Sequence, residues 1–493
     1  MFSTLSLQNF KSFRHLDKLE IRPITILAGR NSCGKSSILQ SLLLLKQTVE
    51  SKNLNQTILL NGKYVHLGVF QNIIHNKDAQ LPISLEFSFN IAKEQLPHSI
   101  GQFPLYFLLR HVVSEQAYDL AKAQYRFTYH VKIRSLDKKH RSIHIPSILI
   151  DQADLAIETL NSDGSVFEAT TITVIHDRED HYMVNWHNIN GRPFGPMESY
   201  SGNGKFQVAF SNLLPVQITS STEQDSNLWQ ITSVFNQFSE ILKYELSSVT
   251  YLGPLREEPA RRYIYEDEVL EIGNKGENAA FIFHAEQDSQ LSNLYFPNFE
   301  TGKFTRHDKS LRLIDALQKW NACMDISNVR AEPANEIIQL NLDSRFNSST
   351  RVNIADVGFG ISQIFPILLE GLRMNEFGTL ILEQPEIHLH PKLQMQMADY
   401  FIALALSGKR VIVETHSEHI INRLVRRSIE NRTHHYANLM GIYFIEQEED
   451  GSKYSKIRID PEHGIINWPQ GFFDQGANEH LRIMQAALKN REE

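Results

Sequence analysis

Cysteine is almost missing from this chain: Cys33 and Cys323 are the only two among 493 residues. Two thiols cannot staple a disulfide scaffold, so a reducing, cytoplasmic setting is the expectation. Long apolar runs are missing too. None approaches the roughly 20 residues that a membrane-crossing helix needs, and no membrane partner is expected. The N-terminus lacks a charged-then-apolar leader, and Met1 to Phe10 reads instead as the start of a folded strand. A surplus of positive charge is also lacking. Lys and Arg number 49 against 57 Asp and Glu, a formal net charge of −8. That balance argues against a protein that coats nucleic acid by bulk charge, although a local basic groove is a separate matter. Between about residues 80 and 245 there is no internal repeat and no heptad run, so a long coiled coil is not expected there. What remains, 42% hydrophobic and 22% charged, is a packed globular chain long enough for several domains.

One stretch carries a chemical signature. Gly29 to Ser36 reads GRNSCGKS and follows the apolar run from Ile24 to Leu27. It fits G-x-x-x-x-G-K-[ST] in the context that motif requires: a β-like run, a glycine-rich loop, then a Leu-rich helical stretch from Ser37 to Lys46. Gly29 and Gly34 let the backbone curl, so that N–H groups of Arg30, Asn31, Ser32 and Cys33 turn inward toward phosphate oxygens. The helix opening with Ser36 and Ser37 adds its positive end. Lys35 is expected to reach the β- and γ-phosphates, and the Ser36 hydroxyl to ligate Mg²⁺. An ordinary turn would match the pattern without aligning strand, loop and helix; ATP with Mg²⁺ is the expected ligand. Cys33 reads as a small loop residue before it reads as a redox handle.

Around this loop the chain is α/β in texture. Leu5 to Phe13 alternates apolar and polar residues as a half-buried strand does, and Leu19 to Ile21 adds a second strand. Tyr64 to Asn76 reads as a strand or turn leading into a helix. Gln71 is the only glutamine placed to sense magnesium or water, although a surface glutamine is the simpler reading. From about residue 80 to 245 the texture changes. Runs at Ile83–Phe89, Tyr125–Ile133, Ala156–Leu160 and Thr171–Val174 predict antiparallel strands, with turns at Asn161-Ser-Asp-Gly and Asn190-Gly-Arg-Pro. This block carries no chemical motif and reads as an insertion, a surface for a partner or for DNA. Then TYLGPLRE, Thr250 to Glu257, runs a strand into a Gly-Pro turn and Arg256. That arginine suits either a phosphate, the opposing subunit or a structural ion pair. A polar loop, EIGNKGEN from Glu271, precedes an apolar helix. Residues 305–330 read as helical, and Ile337 to Leu342 as a strand.

Four later stretches complete a pattern. DVGFGISQ, from Asp356, is a glycine-rich turn into a helix starting near Ile364, with the Ser362 hydroxyl beside free N–H groups that suit an anion. One triphosphate cannot occupy both this turn and the Lys35 loop when each sits at its own corner of one domain, so two chains clamping each other's nucleotide is the expected arrangement. TLILEQPEIHLHP, from Thr379, is an apolar strand ending in Glu383, placed to hold the Mg²⁺ shell. The HLHP turn starting at His388 follows it. KRVIVETHS, from Lys409, is another buried strand, delivering His416 at its carboxyl end, where doubly wound sheets collect ligands.

The order FKSF, GRNSCGKSS, GFGISQ, ILEQPEIHLHP, VETHS resembles the ABC-type ATPase heads of the SMC, RecF and OLD proteins. TYLGPLRE, GNKGEN and the C-terminal IINWPQGFFDQ are similar to a bacterial branch of AAA ATPases of unknown function, some of whose wider relatives occur in antiphage defence operons. The resemblance covers roughly residues 1–80 and 250–475. It implies an α/β, SMC-head-like P-loop NTPase with a mixed sheet and a mainly β inserted lobe. Residues 1–80 and 246–475 would be two parts of the head, 81–245 the lobe, and 476–493 a tail helix. It also implies Lys35 and Ser36 for phosphate and Mg²⁺, and Glu383 as the Walker B acid. Gly358, Gly360 and Ser362 would form a signature acting in trans, and His416 would be the switch histidine.

One departure from that pattern matters. Where such ATPases place a catalytic glutamate, directly after the Walker B acid, this chain has Gln384. Glutamine orients a water but cannot take its proton; Glu386, two residues on, is the remaining base. Slow turnover and a long-lived ATP-bound dimer are therefore expected. The function implied is an ATP-driven dimerisation switch controlling a partner effector, a nuclease or toxin encoded nearby. A RecF-like repair ATPase that binds DNA directly is the rival. A third reading gathers His388, His390, His416, His419, Glu383 and Glu386 into a metal nuclease, but their spacing matches no tetrahedral zinc pattern. An appended Toprim nuclease would need an Asp-x-Asp, and none follows His416.

Overall fold

Period-two alternation governs the first half of the chain. In the computed structural model, strands β1 (Phe2–Phe10), β2 (Phe13–Glu20) and β3 (Ile24–Gly29) precede helix α1 (Lys35–Val49). Then come β4 (Ile83–Ala92), β5 (Gln124–Leu136), β6 (Ser147–Leu160), β7 (Val166–Arg178), β8 (His181–Ile189), β9 (Ser201–Ser211), β10 (Leu214–Thr219) and helix α2 (Leu228–Ser247). The structure describes residues 2–53, 56–78, 81–92, 124–136, 147–161, 163–189, 201–220, 228–264, 271–298, 300–334, 337–343, 350–431, 436–460, 462–469 and 475–492. The Asn190-Gly-Arg-Pro turn and the Gln470 to Asp474 part of the C-terminal motif lie outside these residues.

The chain divides into two compact units, Met1–Ile21 with Ser36–Val249 and Gln447–Lys453, and Arg22–Lys35 with Thr250–Glu446 and Tyr454–Glu493. In the first, an antiparallel sheet runs β10-β9-β8-β7-β6-β5-β4-β1-β2. The N-terminal strands therefore belong to this sheet and not to the parallel one. Alternate residues of β5 (Tyr125, Phe127, Tyr129, Val131, Ile133) are fully buried. Phe238 of α2 packs on that face, its ring centroid 6.2 Å from Phe127 and 5.7 Å from Tyr129. The intervening residues are polar, as a sheet with one covered face requires. The Asn161 turn closes as its sequence predicts, with Gly164 N–H donating to Asn161 O at 2.9 Å and Gly164 at φ +83°. Two 3₁₀ turns, Phe70–Ile73 and His75–Lys77, stand where a helix was expected after Tyr64.

The second unit is built on a parallel core. The elements that lie in it wholly or in part are β3 and then β11 (Val249–Leu252), β12 (Tyr263–Ile264), α3 (Ala279–Glu286), α4 (Leu313–Cys323), β13 (Val329–Ala334), β14 (Ile337–Asp343), β15 (Arg351–Asn353), α5 (Phe359–Arg373), β16 (Thr379–Glu383), α6 (Pro391–Leu406), β17 (Arg410–Glu414), α7 (Glu418–Glu430), β18 (Met440–Glu448), β19 (Gly451–Lys456) and α8 (Gln475–Glu492). The sheet order is β11-β16-β17-β3-β18-β19, and β16, β17, β3 and β18 pair in parallel. These strands are almost continuously apolar because helices cover a parallel sheet on both faces. Only Leu313–Cys323 of the expected 305–330 helix is helical; Phe304–Arg306 and Leu311–Arg312 pair instead in short ribbons with Tyr295–Pro297 and Gln290–Leu291. Asp399 of α6 is buried against Arg423 at 2.6 Å and Arg427 at 2.8 Å of α7, an arrangement that fixes the two helices because a buried charge must be paired. Among the described residues no helix is long and apolar enough to cross a membrane.

Candidate functional site

The glycine-rich loop leaves β3, all six of whose residues are buried, between the carboxyl ends of β17 and β18. A side chain at Gly29 would put a Cβ 2.2 Å from Ile445 O and 2.9 Å from Cys33 Sγ, so only glycine passes there. Ser32 at φ +60° and Gly34 at φ +105° then turn the backbone through left-handed conformations, the curl that aims successive N–H groups to one side. Lys35 is 3% exposed, and its Nζ donates to Arg30 O at 2.7 Å and Gly29 O at 3.2 Å. Burial pushes the Cys33 thiol up despite the nearby Lys35 ammonium, so Cys33 is a packing group and not a reactive one. Arg30, Asn31 and Ser32 are exposed, Ser36 is half-buried in the first turn of α1, and Ser37 is buried. Gln71 is exposed in its 3₁₀ turn.

Beside this loop, β16 and β17 end in register, Glu383 opposite Glu414. Gln384 N–H donates to Glu414 O at 2.7 Å, and Thr415 N–H to Leu27 O at 3.1 Å, so three adjacent strands finish on one edge. Glu383 Oε1 accepts from the Tyr251 hydroxyl at 2.9 Å. Glu386 Oε1 accepts from His416 N–H at 2.6 Å, while its Oε2 is buried without a hydrogen-bond partner. Burial raises both carboxyls, Glu383 against the pull of Tyr251 and Arg256, Glu386 against that of the His416 N–H. Burial, then the charge of Lys35, lowers the His416 imidazole. A histidine and two carboxyls shifted chiefly by burial, on one strand-end edge with the loop lysine, form the kind of perturbed cluster that marks a candidate functional site.

Arg256 is the residue whose role the sequence left open. It is 5% exposed, and its fork donates to the backbone carbonyls of Glu383 (2.9 Å) and Gln384 (3.1 Å). It is therefore neither a surface arginine nor part of a simple ion pair. Its segment is held in turn by the EIGNKGEN loop: Gly253 N–H donates to Asn274 O at 2.7 Å and Glu257 N–H to Lys275 O at 2.9 Å. Gly276, at φ +72°, would place a Cβ 2.6 Å from Pro366 of α5. Tyr251 went unnoticed in the sequence; it lies inside TYLGPLRE, which was the available signal.

The remaining candidates are placed differently. α5 begins at Phe359 with Gly358 as its N-cap, five residues before the expected start at Ile364. Nothing crowds Gly358, and Gly360 approaches His388 O. Ser362 is 7% exposed, its hydroxyl donating to Phe359 O at 2.7 Å; it is turned into its own helix and not outward beside free N–H groups. His388, at φ +63°, lies exposed against Phe359 with ring centroids 5.6 Å apart. His390 caps α6, Nδ1 accepting from Lys392 N–H at 3.3 Å. His419 is exposed on α7. Among the described residues no three His, Cys, Asp or Glu side chains converge to hold a metal ion, so the nuclease cluster does not assemble.

The residues fit a Mg-nucleotide. Magnesium takes one or two protein oxygens and completes its shell with water and phosphate; Glu383, at the end of β16, is a donor of that kind. The backbone turn through Ser32 and Gly34 gives the loop the curl that a phosphate-binding nest requires.

Residues 1–421 match the model of a family described as an AAA ATPase domain, and residues 437–483 that of a family described as a protein of unknown function. An uncharacterized protein of Methanocaldococcus jannaschii is 29% identical over 92 residues, 18% of this chain and 42% of that protein. The match thus spans under half of that relative's length. Among solved structures, the SMC head domain from Thermotoga maritima gives a TM-score of 0.34 at 9% identity, covering 93% of this chain and 99% of that one. An Smc head bound to the C-winged helix domain of ScpA gives 0.38 at 11%, covering 94% and 98%. An Smc head with an extended coiled coil bound to the C-terminal domain of ScpA, derived from Pyrococcus furiosus, gives 0.35 at 9%, covering 98% and 99%.

Proposed function

The chain belongs to the AAA ATPase domain family, and from that premise we propose that it is a slowly hydrolysing, cytoplasmic ATP switch that closes as a homodimer and controls a partner protein. The observation that carries the reading is the single edge on which Lys35, Glu383, Glu386 and His416 meet. The loop N–H groups and Lys35 bind and orient the β- and γ-phosphates. Ser36 and Glu383 would hold Mg²⁺, which supplies charge neutralisation on the phosphates when bound. Gln384 orients the attacking water, Glu386 accepts its proton at a carboxylate oxygen, and neutral His416 donates to the γ-phosphate. A glutamine directly after Glu383 makes this step slow, so the ATP-bound state persists.

Gly358 and Gly360 open α5 with free N–H groups, and in this reading that helix end faces the nucleotide of a second chain. Ser362, whose hydroxyl serves its own helix, contributes shape there. Residues 1–80 and 246–475 form the nucleotide head in this proposal, 81–245 the partner-facing lobe and 476–493 a tail helix. In this reading the switch serves antiphage defence with a nuclease or toxin as its effector, a role supported by the likeness of the C-terminal IINWPQGFFDQ to a branch whose wider relatives occur in defence operons. The test is the mass in solution with and without Mg-ATP, beside Lys35→Ala. ATP doubling the wild-type mass, with the variant unchanged, is the expected result; a mass that ignores ATP refutes the switch.

A further inference from the structure

Gln384 is pinned by both of its backbone groups. Its N–H donates to Glu414 O at 2.7 Å, its carbonyl accepts from Arg256 Nη1 at 3.1 Å, and its φ of +45° lies in the left-handed region that a residue with a side chain rarely adopts. Such a conformation persists only where its surroundings over-determine it. Arg256 does so from inside the protein. The second arm of its fork takes Glu383 O at 2.9 Å, so one planar group spans two consecutive carbonyls as a bidentate clamp. Gln384 O also accepts the Ile387 N–H at 3.3 Å, which closes the turn, and Arg256 adds a charged donor that ties this carbonyl to that of Glu383.

We propose that Arg256 is a positioning residue for hydrolysis: by holding the carbonyls of Glu383 and Gln384 it forces the left-handed turn that aims the Gln384 side chain at the attacking water. This rests on the reading that Gln384 orients that water. Arg256 touches no substrate; it acts through the turn. The charged and titratable groups around the fork are Glu383 and Glu386 from β16 and the turn after it, and Tyr251 from β11. The clamp thus joins the strand end to the TYLGPLRE segment. Lysine keeps the charge but has no fork, and cannot hold two carbonyls in one plane.

The experiment compares wild type, Arg256→Lys, Gln384→Ala and the double variant. Turnover at saturating Mg-ATP is measured beside equilibrium binding of a fluorescent ATP analogue and thermal unfolding. Arg256→Lys is expected to lower kcat by roughly 10- to 100-fold, the scale of a misplaced catalytic group, while binding the analogue within about twofold of wild type. The double variant is expected to turn over no more slowly than Gln384→Ala alone, because residues acting as one unit are not additive. A purely structural arginine would shift unfolding or binding and leave the two losses independent. If Gln384→Ala hydrolyses like wild type, the water-orienting reading fails and the inference with it. If Gln384→Ala is slow but Arg256→Lys is not, or the losses multiply, or Arg256→Lys loses the analogue, the inference alone is overturned.

Discussion

On the antiparallel sheet, Ser84 Oγ lies 2.7 Å from His130 Nε2, and His130 Nδ1 lies 2.6 Å from Asp154 Oδ2. At the ends of the parallel strands, Tyr251 reaches Glu383 at 2.9 Å, and His416 N–H reaches Glu386 at 2.6 Å. The first row has the residue types and spacing of a nucleophile, a base and an orienting acid. Its location denies it that use. Ser84 lies in β4, paired on one side with Gln8 and on the other with Lys132, so the local N–H groups serve the ladder and none is free to stabilise an oxyanion. The second row lies where three strands stop and the backbone turns out of the ladder. Placement, and not residue type, separates a brace from a site.

The electrostatics differ in the same sense. Burial works against ionising Asp154, but hydrogen bonds from His130 and Gln152 outweigh it and hold its carboxyl below the ordinary range. For Glu383 and Glu386 burial wins, and both are raised. Each row leaves one carboxyl oxygen buried without a hydrogen-bond partner, Asp154 Oδ1 and Glu386 Oε2, but only in the brace do the partners supplied by the fold outweigh burial.

The largest contrast should appear in magnesium dependence. Tyr251→Phe removes the hydroxyl that orients Glu383, and outer partners of metal ligands typically contribute 10- to 100-fold in metal affinity. The Mg²⁺ concentration for half-maximal hydrolysis should rise by about that factor, while Ser84→Ala should leave it unchanged. A comparable shift for both would erase the distinction.

Smaller effects belong to stability. Asp154 has a lowered carboxyl, so its stabilisation is present above the ordinary Asp range and is lost as pH falls through its folded-state value. Urea unfolding should show Asp154→Asn weaker than wild type by on the order of 1 kcal/mol at neutral pH, with the gap closing in acid. Glu386 has the opposite sign. Its raised carboxyl contributes fully below the ordinary Glu range and loses that contribution as pH rises through the folded-state value. Glu386→Gln should therefore be at least as stable as wild type at neutral pH. A clear loss there would mean that the buried carboxylate is satisfied by the fold.

Much of this was legible in the sequence, for physical reasons. The β3–loop–α1 unit is encoded locally by Gly29, Gly34 and Lys35 after an apolar run, and β16 and β17 announce themselves as short buried strands ending in Glu383 and Glu414. What escaped notice is long-range. Tyr251 and Arg256 meet Glu383 across separations of 132 and 127 residues, and no periodicity reports such a pairing. The 305–330 segment misled because Leu313, Ala316, Leu317 and Trp320 keep a helical spacing only over Leu313–Cys323, whereas Leu311 and Arg312 before it pair with Leu291 and Gln290. Gly358 and Gly360 suggested a late helix start, yet glycine also serves as an N-cap, and α5 begins between them. The left-handed Gln384 is imposed by its partners, and nothing local foretells it.

The most direct measurement of the central claim is equilibrium binding of ATP to the wild type, Lys35→Ala and Ser84→Ala in the presence of Mg²⁺. The strand-end edge being the nucleotide site requires that Lys35→Ala lose binding by more than about 100-fold, as removal of a buried charged partner of phosphate implies, while Ser84→Ala binds as wild type does. Retained ATP affinity in a folded Lys35→Ala would contradict it.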